Sequence, residues 1–221
     1  MIDGISEILS LEFRWVLVGS LFITFSISKL YRNRARKARL HDREIHRTDE
    51  NIVMILARLL TAIPLFMGVF AYMIHPEWMA WAHLDLPVWV HGVGTAMVIL
   101  AVPMGYWIMS SLGDNVSETI YTRHGQKLIQ HGPYRWVRHP LYTNGMMLFM
   151  GAGVGAENAF IILFTLITWA GIYRLVIPQE EAELLERFGE DYKEYMARTG
   201  KLLPQLRSSE PEAAANGKTG F

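Results

Sequence analysis

Gly132-Pro133-Tyr134-Arg135-Trp136-Val137-Arg138-His139-Pro140-Leu141-Tyr142 is the stretch on which the fold turns. Two arginines, a histidine, two tyrosines and two prolines stand together, and apolar runs long enough to cross a bilayer lie on both sides. Proline fixes φ and pushes the residue before it toward extended geometry. The stretch is therefore a poor membrane span and a good surface segment between spans. His139 is held out of helix, and Pro140 opens one at its first turn, where proline is favoured. A helix N-terminus offers free N–H groups and partial positive charge. With Arg138 beside it, the place suits a carboxylate or a phosphate. Taken alone, the same residues also read as two topology arginines and a capping histidine.

Working outward, the chain reads as five spans: Phe13–Tyr31, Ile52–Ile74, Pro87–Met109, Leu141–Ala156 and Asn158–Ile177. A helix needs roughly 20 residues to cross the hydrocarbon core, so the fourth is short. Its Gly145, Gly151, Gly153 and Gly155 suit close approach by a neighbouring helix. Glu157 and Asn158 are the only link to the fifth, which makes the two a helical hairpin. Arg58, inside the second span, either faces the bundle interior or snorkels to the interface. Lysine and arginine set orientation. The loop 32–47 carries seven (Arg32, Arg34, Arg36, Lys37, Arg39, Arg43, Arg47), the loop 75–86 none, and the loop 110–140 four (Arg123, Lys127, Arg135, Arg138). An N-terminus outside and a C-terminus in the cytoplasm put every basic loop on the cytoplasmic side.

The 221 residues are 51% hydrophobic and carry no net formal charge. Zero net charge argues against a nucleic-acid partner, which selects a basic face. The absence of cysteine excludes disulfides, zinc–thiolate sites and cysteine nucleophiles, and no metal site is expected. The acidic start (Asp3, Glu7, Glu12) and the lack of a small-residue cleavage site do not make a cleavable signal. Trp78 and Trp81, between His75 and Pro87, read as anchors at the outer interface.

Past the fifth span stand Glu180 and Glu181, followed by Leu184, Leu185, Phe188, Tyr192, Tyr195 and Met196 at helical spacing. This is an amphipathic helix broken near Gly189, either lying on the membrane or closing over the loop 110–140. Adjacent carboxylates point to different sides of a helix, so one can face a cationic ligand while the other stays in water. Asn115, Ser117 and Thr119 form a further polar run that can cap a helix or bind a ligand. The expected class is an all-α integral membrane protein with five transmembrane helices and a cytoplasmic C-terminal amphipathic helical segment. Residues 1–109 form a three-span region, 110–204 the part that carries chemistry, and 205–221 a disordered tail.

GPYRWVRHPLY, a span pair, EE-x-x-L-x-x-x-FG-x-x-Y-x-x-Y and a closing Leu203-Pro204 together resemble the isoprenylcysteine carboxyl methyltransferase family. Related membrane methyltransferases act on phospholipid amines and small thiols. The resemblance covers about 110–204 and implies a membrane enzyme that binds S-adenosyl-L-methionine in a cytoplasmic pocket closed by the C-terminal helices. It implies that Gln126, Lys127, Leu128 and Ile129 border the cofactor, that Tyr134 packs on it, that Arg138 and His139 hold its charged end, and that Glu180 faces its cationic part. Residues and cofactor agree, because a zwitterion needs cationic donors and an anion together. There is one departure. The family's prenylcysteine enzymes carry an arginine for the substrate carboxylate one helical turn before the cofactor glutamate. Here that position is Val176, and Arg174 lies two residues earlier. The implied reaction is methyl transfer to a lipophilic or amphiphilic acceptor (carboxylate, thiol or amine) at the cytoplasmic membrane interface. Glu181 and His139 are candidate bases for an amine, and Arg174 is a third catalytic candidate. Membrane lipids are the expected surroundings and partners. Two other classes compete: a nicotinamide-dependent membrane reductase, which needs more cationic side chains than the four in 110–140, and a non-catalytic membrane subunit.

Overall fold

The computed structural model describes residues 2–39, 52–113 and 128–205. Asn115, Ser117, Thr119, Gln126, Lys127, the loop from 40 to 47, the side chain of Arg58 and the tail from 206 lie outside the described residues. Seven α-helices follow in order among those described: α1 (Ile2–Arg39), α2 (Ile52–Ile74), α3 (Val88–Leu112), α4 (Pro140–Gly155), α5 (Ala159–Gly171), α6 (Ile177–Phe188) and α7 (Glu190–Arg198). Short 3₁₀ turns occupy Pro76–Ala82 and Gly132–Arg135.

Three stretches, Leu11–Lys37, Val88–Leu112 and Ala159–Phe188, are long and apolar enough to cross a membrane, and Leu59–Ile74 is a shorter apolar helix. The chain is a helical integral membrane protein. Phe22, Leu60, Met67, Leu100 and Leu163 stand exposed on α1, α2, α3 and α5, as side chains facing lipid do. The core lies between the helices and is built from Phe13, Leu17, Leu65, Val69, Val98, Ala152 and Ile161. Trp78, Trp81 and Trp89 are exposed where α3 begins, and Trp107 and Trp136 where it ends. Aromatic side chains thus mark both ends of the bundle.

Small residues set the α3–α4 crossing. A Cβ on Gly151 would lie 2.9 Å from the Gly94 carbonyl oxygen and 3.0 Å from the Val98 nitrogen, and one on Gly155 would run into the Phe13 ring. Asn144 Nδ2 donates to the Ala101 carbonyl at 3.1 Å across the same interface. Asn158 holds the α4–α5 hairpin from both sides. Its Oδ1 accepts from the Ile161 N–H at 3.1 Å and caps α5. Its Nδ2 donates to the Met79 carbonyl at 3.0 Å, tying the hairpin to the 3₁₀ turn after α2.

The fifth span does not end at Ile177 as read from sequence. The helix continues from α5 into α6 through a π turn, Ile172–Val176, in which the Ile177 N–H donates to the Ile172 carbonyl. Pro178 is the cause. It has no N–H, and its ring crowds the carbonyl four residues before it, so the chain widens one turn instead of breaking.

The glycines of α4 give a paired prediction. Gly151→Ala should destabilise the protein by about 1–3 kcal/mol through overpacking. Gly145→Ala, where nothing lies within 4 Å of an added Cβ, should be neutral or stabilise by up to about 1 kcal/mol. Thermal unfolding of both variants in one detergent checks the pair.

Candidate functional site

The segment from His131 to His139 is irregular, and its backbone groups need partners from elsewhere in the chain. Gly132 has φ +60 and sits so close to Ser111 and Trp107 that any Cβ would collide with Ser111. From there the 3₁₀ turn buries Tyr134 and carries the chain to Val137. The residues after α7 then lie alongside. Val137 and Gly200 form a parallel bridge. Arg138 N donates to the Gly200 carbonyl at 2.8 Å, His139 N to the Lys201 carbonyl at 3.1 Å, and Gly200 N to the Trp136 carbonyl at 3.3 Å. Thr143 Oγ1 donates to the Leu202 carbonyl at 2.7 Å. Helix α7 closes over the same segment, with the Tyr195 hydroxyl donating to the Tyr134 carbonyl at 2.6 Å and Arg198 bonded to Gln130. The second half of the amphipathic helix thus packs on the described end of the loop 110–140.

This scaffold aims α4's first residues at α6. Arg138 Nε and Nη2 both lie 2.9 Å from Glu181 Oε1. Its Nη1 donates to the carbonyls of Met196, at 3.1 Å, and Thr199. Lys201 Nζ is 3.0 Å from Glu181 Oε2 and lies over the Tyr173 ring. Arg138 and Glu181 side chains are only 6% and 10% exposed, so this is a buried ion pair with its hydrogen bonds filled. The neighbouring carboxylate is different. Glu180 is 24% exposed; Tyr142 donates its hydroxyl to Oε1 at 2.5 Å.

His139 bridges the two acids. Nδ1 is 3.4 Å from Glu180 Oε2 and Nε2 is 3.3 Å from Glu181 Oε1. Both ring nitrogens face acceptor-only groups, an arrangement that only the imidazolium satisfies. Burial alone would lower the His139 pKa, but hydrogen bonds and charge from Glu180 and Glu181 outweigh it and raise it above the usual histidine value. His139 has φ −121 and ψ 58 and makes no side-chain cap bond; its carbonyl starts α4 by accepting from Tyr142 N and Thr143 N.

Of the residues expected from sequence, Tyr134, Arg138, His139, Glu180 and Glu181 are brought together. Leu128 and Ile129 are half-buried where the described chain resumes. Arg174 is exposed on the π turn, outside the cluster. Sequence reasoning missed Lys201 and the Thr199–Leu202 strap, and it gave Tyr142 no role. Leu203-Pro204 was the one signal near the strap, and it sits just beyond it.

The fold and this cluster define a helical membrane protein with a polar, ion-paired site at one end of its bundle. Residues 93–186 match the sequence model of the isoprenylcysteine carboxyl methyltransferase (ICMT) family, and the chain is ICMT-like in the region that holds the site. It is 26% identical over 135 residues to mouse (Mus musculus) protein-S-isoprenylcysteine O-methyltransferase, covering 60% of this chain and 47% of that one. Methanethiol S-methyltransferase 1 of Bradyrhizobium diazoefficiens is 36% identical over 75 residues, 34% of this chain and 25% of that one. A solved structure of the eukaryotic intramembrane Ras methyltransferase ICMT aligns with a TM-score of 0.48 and 21% identity, covering 71% of this chain and 54% of that chain. The chain spans about half the length of the mouse and rat relatives it matches.

Two stability predictions follow from the unequal carboxylates and their shared histidine. Glu181→Gln should cost about 3 kcal/mol or more, because it leaves Arg138 as a buried, uncompensated charge; Glu180→Gln should cost much less, and chemical or thermal unfolding compares the two. The pH dependence has a fixed sign. A histidine whose folded pKa is raised contributes stability that is complete below its unfolded value, about 6.5, and is lost as pH rises through the folded value. Thermal midpoints of the wild type should therefore fall above about pH 6.5, and His139→Gln should flatten that slope.

Proposed function

We propose that this chain is an S-adenosylmethionine-dependent methyltransferase acting on a lipophilic or amphiphilic acceptor. In this reading the five apolar segments span the membrane, with the N-terminus outside and the site at the cytoplasmic interface. The observation that carries it is the joining of Arg138 and His139 to Glu180 and Glu181 at one end of a membrane bundle. Those residues lie within the stretch that matches the family.

The residues present fit the cofactor. Glu180, the more exposed acid, would take an ammonium, and the resemblance gives Tyr134, Leu128 and Ile129 as residues that would border the rest. When bound, S-adenosylmethionine supplies a methyl group already activated on a sulfonium. The protein's task is then alignment and exclusion of water. Arg138 acts through Glu181 and the strap, since its three guanidinium nitrogens are all engaged by the protein.

The same geometry narrows the acceptor. His139 as imidazolium has no lone pair to take a proton, and Glu181 is held by three cationic groups. Neither is poised as a base in this arrangement, so His139 and Glu181 serve positioning. An acceptor that arrives as a carboxylate or thiolate needs no base and is favoured over an amine. Arg174, exposed on the π turn, is the candidate to meet that negative charge. Calorimetry of the purified protein with S-adenosylhomocysteine should show binding, and Glu180→Gln should weaken it tenfold or more with little change in thermal midpoint. Absence of binding to the wild type overturns the reading. Mass spectrometry of lipids and small metabolites with methyl-labelled cofactor then identifies the acceptor.

A further inference from the structure

Tyr192, on α7, is 1% exposed, yet its hydroxyl has no hydrogen-bond partner among the described residues. Buried hydroxyls are nearly always partnered, so this one asks what it faces. Its ring packs at 5.9 Å from that of Tyr195, the residue that fastens α7 to Tyr134. The charges acting on it are those of Glu181, Arg138 and Glu180. Burial first and Glu181 next push its pKa up, so it stays a neutral donor across the working pH range.

The charged groups of the cluster, and Tyr142, already hold one another or the backbone. Arg138 gives its three nitrogens to Glu181, Met196 and Thr199. Both nitrogens of His139 face the carboxylates, Lys201 is on Glu181, and the Tyr142 hydroxyl is on Glu180. Three cations against two acids leave the cluster one positive charge in excess when His139 is charged. Such a place favours an anion, and each cationic nitrogen named here already holds a protein oxygen. The Tyr192 hydroxyl is a buried donor with no partner of its own among the described residues.

We infer that Tyr192 contacts the ligand of this site, its phenol hydroxyl donating to the carboxylate of the bound sulfonium amino acid while Glu180 takes the ammonium. This rests on the cofactor reading above and adds a residue and a binding polarity to it.

The test is a cycle between protein and ligand. Wild type and Tyr192→Phe are each titrated by calorimetry with S-adenosylhomocysteine and with its decarboxylated counterpart, S-adenosyl-3-thiopropylamine. The variant should bind S-adenosylhomocysteine about tenfold or more weakly, the effect of one hydrogen bond to a charged group. It should bind the decarboxylated ligand as the wild type does. Its thermal midpoint without ligand should be unchanged or higher, because the lost hydroxyl had no protein partner. Equal affinity of variant and wild type for both ligands, or an equal loss on both, overturns the inference while leaving the cofactor reading standing. Failure of the wild type to bind either ligand rejects both.

Discussion

The ion pair between Arg138 and Glu181 is the contact on which the site depends. Buried ion pairs gain little net stability, since desolvation cancels most of the attraction. What this one does is restrict geometry. One guanidinium joins three pieces of chain: the loop before α4, the second carboxylate of α6 and the carbonyls at the end of α7. None of these can shift without stranding a charge. Lys201 adds a fourth piece, the strap. The less buried Glu180 is thereby fixed in position while keeping access to the outside.

The surrounding membrane explains why so much hydrogen bonding gathers here. Irregular backbone near lipid must find its partners within the protein. The strap supplies them for Arg138 and His139, and the Tyr195 hydroxyl does so for Tyr134. α7 and the strap therefore complete the loop and are part of the same unit. Further along, where helices need no outside partners, packing uses small residues: Gly94 and Gly151 let α3 and α4 touch backbone to backbone.

Much of this was legible in the sequence because it is local. Hydropathy and prolines placed α2 and α4 within a residue of their observed limits, Glu157-Asn158 announced the hairpin, and Gly189, with φ +53, breaks the helix where glycine allowed it. The motif residues of the site were also readable. What escaped was long-range. Nothing in the periodicity of 199–202 tells that it lies beside 136–143, some sixty residues earlier. Nor does the pair Glu180-Glu181 reveal which acid is buried, because that depends on where Arg138 and Lys201 arrive from. The π turn escaped for a different reason: the fifth span was read to end at Ile177, and the helix runs on through Pro178.

That widened turn has a consequence for how the two ends of one long helix relate. Each residue advances an α-helix by about 100°, so one extra residue in a turn rotates everything before it relative to everything after it. α5 and α6 thus belong to one continuous helix whose two halves are turned relative to each other. The face of the apolar half and the face that carries Glu180 and Glu181 are therefore set separately.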